Sequence, residues 1–182
     1  MRQEIIIAGF GGQGVLLMGQ ILTYAGMLEG KHVSWIPAYG PEMRGGTANC
    51  SVIIADHPIG SPIVYEPTAV VVMNVQSFDK FEPTVQAQGI LIINSSLIEK
   101  TVKREDIEVY PIPVNELAAE LGNGKMANMV CLGGLIAATQ AVEIESLYQA
   151  FAKKFATKPE LLIPNKKAMQ KGYACVKQGH VF

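Results

Sequence analysis

The chain is short of charge. Only 17% of its 182 residues are Asp, Glu, Lys or Arg, against roughly 25% in ordinary soluble domains. A surface with so few charges either exposes apolar area or buries it against another protein. The few charges also balance, 15 basic against 16 acidic for a net −1, which excludes the basic footprint of a nucleic-acid binder or of a protein held on an anionic membrane. Cysteine is equally scarce. Cys50, Cys131 and Cys175 lie far apart with no Cys-x-x-Cys. This excludes an iron–sulfur cluster or structural zinc held by cysteines of this chain alone, and leaves no basis for a disulfide framework.

Long apolar runs are missing too. The longest, Met126 to Val142, is broken by Asn128, Gly133, Gly134, Thr139 and Gln140 and falls short of the ~20 residues a membrane span needs. Met1-Arg2-Gln3-Glu4 passes straight into a β-like run without the pattern of a signal peptide, so a cytoplasmic protein is expected. His32, His57 and His180 share no spacing that suggests a metal site or a catalytic base. There is no nucleophile elbow, Walker motif or acid/base carboxylate pair. No catalytic residue and no metal ligand is assigned.

What is present is an alternation of strands and helices. Gln3 to Ala8 is a β-branched run of the kind found in central buried strands. Gln13 to Glu29 reads as a helix ended near Gly30, and His32 to Ile36 as a strand cut off by Pro37. Ala38 to Thr47 has no periodicity and is rich in Gly and Pro: a loop. Further strands are expected at Ala48 to Ala55, Ala69 to Asn74, Gly89 to Asn94 and, edge-like because of Pro111 and Pro113, Glu108 to Ile112. A short helix falls near Ser77 to Phe81. The remainder reads as helix: Asn115 to Leu121, Met126 to Val142, Ile144 to Ala156, and Pro159 to about Lys177, the last kinked or divided by Pro164. These elements predict one α/β domain over residues 1–182, with a mostly parallel, Rossmann-like sheet, helices on both faces and a helical C-terminal third.

Two of the helices, Gln13 to Glu29 and Met126 to Val142, are apolar most of the way round. They belong either in a deep core or, on one face, against another subunit. Gly133 and Gly134 in mid-helix cost about 1 kcal/mol each relative to alanine, which points to close backbone contact.

Two motifs could carry chemistry. Gly9-Phe10-Gly11-Gly12-Gln13-Gly14 follows the first strand and opens the first helix, with Gly9, Gly11 and Gly14 in the Gly-x-Gly-x-x-Gly positions. Such a turn lets backbone approach a phosphate at a helix N-terminus. It equally serves strand–helix packing alone. A dinucleotide site would need an acidic residue closing the second strand, and that strand instead ends Ser34-Trp35-Ile36-Pro37. The second motif, Tyr39-Gly40-Pro41-Glu42-Met43-Arg44-Gly45-Gly46-Thr47, follows the second strand at the ligand-binding edge of an open sheet. Arg44 there could grip an oxyanion bidentately, or Glu42 could simply pair with Arg44 and order the loop. A third segment, Asn123 to Asn128, places Lys125 as a further anion contact and Asn128 as the odd polar residue on an apolar helix.

Together, IIIAGFGGQGVLLMGQIL, IPAYGPEMRGGTANCSVIIAD and KMANMVCLGGL resemble the gamma subunit of 2-oxoacid:ferredoxin oxidoreductases, the 2-oxoglutarate type most closely. Gly9, Gly11, Gly12, Gly14, Tyr39, Gly40, Glu42, Arg44, Gly45, Gly46 and Asn128 fit its pattern. The resemblance implies a part in CoA-dependent oxidative decarboxylation of a 2-oxoacid to acyl-CoA and carbon dioxide, with reduction of ferredoxin or flavodoxin. Thiamine diphosphate with magnesium, and the iron–sulfur clusters, would then be held by partner subunits (alpha, beta and a ferredoxin-like delta), with none on this chain, which would not be active alone. Gly9, Gly11, Gly12, Gly14, Tyr39, Glu42, Arg44 and Asn128 become candidates for a rim that touches cofactor, coenzyme A or a neighbouring subunit. The apolar helices leave room for a homodimer of the isolated chain. The competing expectation is a free-standing nucleotide- or dinucleotide-binding protein resting on the glycine turn.

Overall fold

The structure, a computed structural model, describes residues 1–38 and 47–179. Six strands form a single sheet: β1 (Arg2–Phe10), β2 (His32–Ala38), β3 (Thr47–Ala55), β4 (Ala69–Val72), β5 (Ile90–Asn94) and β6 (Glu108–Ile112). Their order across the sheet is β2-β3-β1-β4-β5-β6. β1, β4, β5 and β6 pair in parallel. β3 runs antiparallel to both of its neighbours and is the one reversed strand among those described. Six α-helices accompany them: α1 (Val15–Leu28), α2 (Val75–Phe81), α3 (Val114–Glu120), α4 (Ala127–Thr139), α5 (Ile144–Lys154) and α6 (Leu162–Lys177). The mostly parallel α/β architecture and the helical C-terminal part follow the expectation.

Both faces of the sheet are buried, which is why its central strands are continuous apolar runs rather than alternating ones. Ile5 and Ile7 of β1 share one face with Val52, Ile54, Val71 and Ile92, under α1, α4, α5 and α6. Ile6 and Ala8 turn to the other face with Val70, Val72, Leu91 and Ile93, covered by Phe78 and Phe81 from α2 and by Val85 and Ile98. The first face carries far more cover than the second.

α4 is the innermost helix. Every described side chain from Ala127 to Ala137 is buried, so its apolar girth serves this chain's own core and not a docking face. Its two mid-helix glycines are explained by α6: a Cβ on Gly133 would lie 1.9 Å from the Met169 carbonyl oxygen, and one on Gly172 would lie 1.8 Å from that of Val130. Gln140, in the left-handed conformation at φ 51°, ends the helix. α1 keeps some outward apolar surface, with Met27 55% exposed.

Two expectations about proline need correction. β2 does not stop at Ile36 but continues through Pro37, which sits opposite Cys50. β2 is an edge strand, where a missing N–H breaks no second ladder. Pro164 does not itself mark the break: the Pro159 to Lys177 stretch is divided between Leu161 and Leu162, into a 3₁₀ turn (Pro159–Leu161) and α6, and Pro164 is the third residue of α6, in the first turn where N–H groups have no intrahelical acceptor.

Candidate functional site

The glycine turn lies at the carboxyl edge of the parallel strands, beside the position where the chain's path across the sheet reverses: β1 is followed by α1 and β2 on one side, while β4 and its successors build the other. Open α/β sheets bind ligands at such a crevice. Within the turn, Gly12 and Gly14 have positive φ, 94° and 74°, which glycine adopts without the steric cost of a side chain. Gly9 is required for a different reason. A Cβ there would meet Met73 Cβ and Val15 Cγ1, each at 2.9 Å. Gly11 is exposed in the turn.

Gln13 holds the turn in place. Its Oε1 accepts from the Phe10 N–H at 2.7 Å, and its Nε2 donates to the Met73 carbonyl at 3.1 Å, tying the β1–α1 connection to the end of β4. The buried Asn94 donates to the same carbonyl at 3.3 Å and to Asn115 Oδ1 at 2.9 Å. Asn74 caps α2 by accepting from the Ser77 N–H at 2.8 Å. Thus the carboxyl ends of β1, β4 and β5 and the start of α3 share one polar seam.

Against this seam is a pocket of about 270 Å³ lined by Gly12, Gln13, Met73, Asn115, Gly124, Lys125, Ala127 and Asn128. Gly12, Lys125 and Asn128, distant in sequence and singled out separately, meet here. Asn128 is buried; its Oδ1 accepts from the Met129 N–H at 2.9 Å. Its amide nitrogen lies against Gly14, where a Cβ would fall 2.3 Å away. Among the described residues, no carboxylate lines the pocket. Just below the ~300–1,000 Å³ usual for ligand pockets, it is too small for a whole dinucleotide.

Gln13, Asn115 and the buried Asn74 and Asn94 escaped sequence reasoning. Gln13 was visible only as a variable position between glycines, and the three asparagines close strands or open helices at places no motif marks. Tyr39, Gly40, Glu42, Arg44, Gly45 and Gly46 lie outside the described residues. Their flanks are described: Ala38 pairs with Asn49, and Thr47 pairs with Phe10, so the segment leaves and re-enters the sheet at the glycine turn's own edge.

A larger pocket, about 480 Å³, opens between the later turns of α1, Trp35 and the α5 lysines Lys153 and Lys154. It gathers none of the described candidate residues. The sheet order also weighs against dinucleotide binding. In a dinucleotide fold the ribose-binding acid closes the strand next to β1; here the reversed β3 intervenes, moving the end of β2 roughly 10 Å away from β1.

The cysteines do not fit a cluster. Cys50 lies on β3 and Cys131 on α4, both fully buried in the apolar core, where burial pushes their thiols up to about 12, and no group of three or more His, Cys, Asp or Glu able to hold a metal is found among the described residues. Cys175, half-buried on α6, is likewise raised by burial.

Residues 4–175 match the family model of pyruvate ferredoxin/flavodoxin oxidoreductase. The ketoisovalerate oxidoreductase subunit VorA of Methanothermobacter marburgensis is 40% identical over 93% of this chain, yet the chain spans only 35% of that protein's length. The 2-oxoglutarate synthase subunit KorC of Methanocaldococcus jannaschii is 35% identical over 98% of this chain and 96% of KorC. The crystal structure of the gamma subunit of a keto/oxoacid ferredoxin oxidoreductase from Geobacter sulfurreducens superposes with a TM-score of 0.83 at 28% identity, over 97% of this chain and 99% of that one. The chain belongs to the pyruvate ferredoxin/flavodoxin oxidoreductase family and is of the gamma-subunit type its sequence resembles.

Proposed function

We propose that the chain acts as the gamma subunit of a cytoplasmic complex that oxidatively decarboxylates a 2-oxoacid, 2-oxoglutarate first among them. The bond between the carboxylate and the keto carbon breaks to release carbon dioxide. The acyl group passes to the sulfur of coenzyme A, whose thiol proton is released, and the two electrons leave one at a time to ferredoxin or flavodoxin. Thiamine diphosphate, when bound between the partner subunits, supplies the carbanion chemistry, and iron–sulfur clusters on those subunits supply the electron path. The observation that carries the reading is the near end-to-end similarity to KorC, 98% of one chain against 96% of the other.

On this reading, Gly9, Gly11, Gly12, Gly14 and Asn128 form the described part of a rim turned toward the other subunits near the channel for cofactor or coenzyme A. Tyr39, Glu42 and Arg44 complete it, with Arg44 supplying charge and Glu42 holding it. The 40% identity to VorA favours a second substrate reading, a branched-chain 2-oxoacid.

Reconstitution with the alpha, beta and delta subunits tests both. Expected are coenzyme A-dependent ferredoxin reduction only when this chain is present, the highest kcat/KM on 2-oxoglutarate, and loss of acyl-CoA formation in Arg44→Ala. A preference for 2-ketoisovalerate would select the branched-chain reading. Unchanged turnover without this chain would end the proposal.

A further inference from the structure

We infer that the groove between α1, α5 and β2 is a docking surface for a neighbouring subunit, taking an apolar side chain flanked by a carboxylate. The inference rests on the subunit reading above and deepens it by naming a face that the assembly covers.

The groove, of about 480 Å³, is built before any partner arrives. Trp35 forms one wall. Its indole is packed on α1 at Gly19, where a Cβ would lie 2.7 Å from Nε1. Tyr24 and Met27, three residues apart and so on one face of α1, form the other wall, and Met27 is 55% exposed. β2 is the outermost described strand on this side. Walls already held in place spare a partner the cost of ordering them on binding.

Charge selects the occupant. Lys153 and Lys154, both exposed in the last turn of α5, stand at the rim, and the Lys153 ammonium lies 5.8 Å from the centre of the Tyr24 ring. Among the described residues, neither lysine enters an ion pair and no carboxylate lines the groove. In a chain with only 17% charged residues, two such cations beside open aromatic surface are a local excess of one sign. A second copy of this chain docked groove to groove would set lysine against lysine, which weakens association. The complementary partner instead brings a carboxylate to the rim and a Leu, Met or Phe to the space between Trp35 and Met27, an apolar anchor within a polar rim.

Trp35 is the chain's single tryptophan, so fluorotryptophan labelling of the full chain gives the groove one fluorine resonance of its own. The expected result is a shift of that resonance when the alpha, beta and delta subunits are added, and none with coenzyme A or 2-oxoglutarate alone. Reversing both exposed lysines, Lys153→Glu with Lys154→Glu, should weaken assembly about tenfold through like-charge contact and reduce its loss with added salt. Met27→Gln should weaken assembly at every salt concentration. Lys103→Glu, exposed on the β5–β6 connection at the far side of the sheet, should leave assembly unchanged. A resonance unmoved by the other subunits, assembly indifferent to the lysine reversal, or equal weakening by Lys103→Glu would overturn the docking face. So would a shift with coenzyme A or 2-oxoglutarate alone, which would make the groove a ligand site, or a shift on dimerisation of the isolated chain, which would make it a self-contact. An active complex whose gamma subunit tolerates the reversal rejects the docking face and leaves the subunit assignment intact; failure of the unaltered chain to join the assembly rejects the two together.

Discussion

At the scale of single residues, Gln13 explains why the glycine turn is a turn and not merely a flexible stretch. One carboxamide bridges the Phe10 N–H and the Met73 carbonyl, closing the loop on itself and fastening it to β4. Gln13→Leu preserves size but leaves both backbone groups without this partner. It should cost about 1–3 kcal/mol, read as a lowered urea midpoint at constant m-value. The two positive-φ glycines allow a sharper comparison. Alanine at Gly12 meets nothing within 4 Å, so it carries only the left-handed backbone cost of roughly 1–2 kcal/mol. Alanine at Gly14 carries that cost and also displaces the Asn128 amide, 2.3 Å from the new Cβ. Gly14→Ala should therefore be the more destabilising of the two, and equal effects would show that Asn128 yields freely. The motif spacing pointed to Gly9, Gly11 and Gly14, but not to Gly12 as a second residue in the left-handed region, because periodicity carries no dihedral information. Asn128 stood out for being polar in an apolar segment; Asn94 and Asn115 sit where strands and helices normally change over, and nothing local distinguishes them.

At the scale of elements, the α4–α6 crossing and the α1–α5 junction are the most informative. Gly133 and Gly172 let two helix backbones touch, each against a carbonyl oxygen of the other helix. A carbonyl in an intact helix cannot rotate aside, so Gly133→Ala should cost about 3 kcal/mol, the upper end of overpacking penalties, measured by thermal or urea unfolding. The close approach was readable from two adjacent glycines in mid-helix; the partner, α6, was not, since α6 is amphipathic in an ordinary way and pairs through tertiary topology.

At the other junction, Glu29 follows α1 and accepts from the Glu143 N–H that opens α5 at 2.7 Å, and pairs with Lys31 at 2.8 Å. Burial alone would raise the Glu29 carboxyl, but hydrogen bonds from Lys31, Ser146 and the Glu143 N–H, with the Lys31 charge, outweigh it and hold it below its ordinary value. A depressed carboxylate contributes stability that is fully present above the unfolded-state pKa, about 4.3, and is lost as pH falls through the lower native value. Stability measured against pH should therefore decline over that acid range in the native protein. In Glu29→Gln the decline should be shallower and stability at neutral pH lower. An unchanged pH profile would remove Glu29 from the account.

At the scale of the whole molecule, the strand–helix alternation, the two-sided burial of the sheet and the helical C-terminal part were all readable, because parallel strands covered on both faces leave continuous apolar runs such as Ile5-Ile6-Ile7 and Ala69-Val70-Val71-Val72. The placement of β3 was not. Its residues read as a strand, but nothing in nine extended residues announces that they pair antiparallel between β2 and β1. That insertion separates this fold from a dinucleotide-binding one more decisively than the missing acidic residue does. Pro37 misled for a related reason: whether proline ends a strand depends on the strand lying at an edge, a property of the sheet.

The central claim is that this chain contributes a rim to catalysis carried by neighbouring subunits, and the most direct measurement is turnover of the complex assembled with and without it. The account predicts coenzyme A- and 2-oxoacid-dependent ferredoxin reduction by the full assembly, none by this chain alone, and a loss of activity when it is left out. Full activity without this chain, or substrate turnover by the purified chain with no partner added, would contradict it.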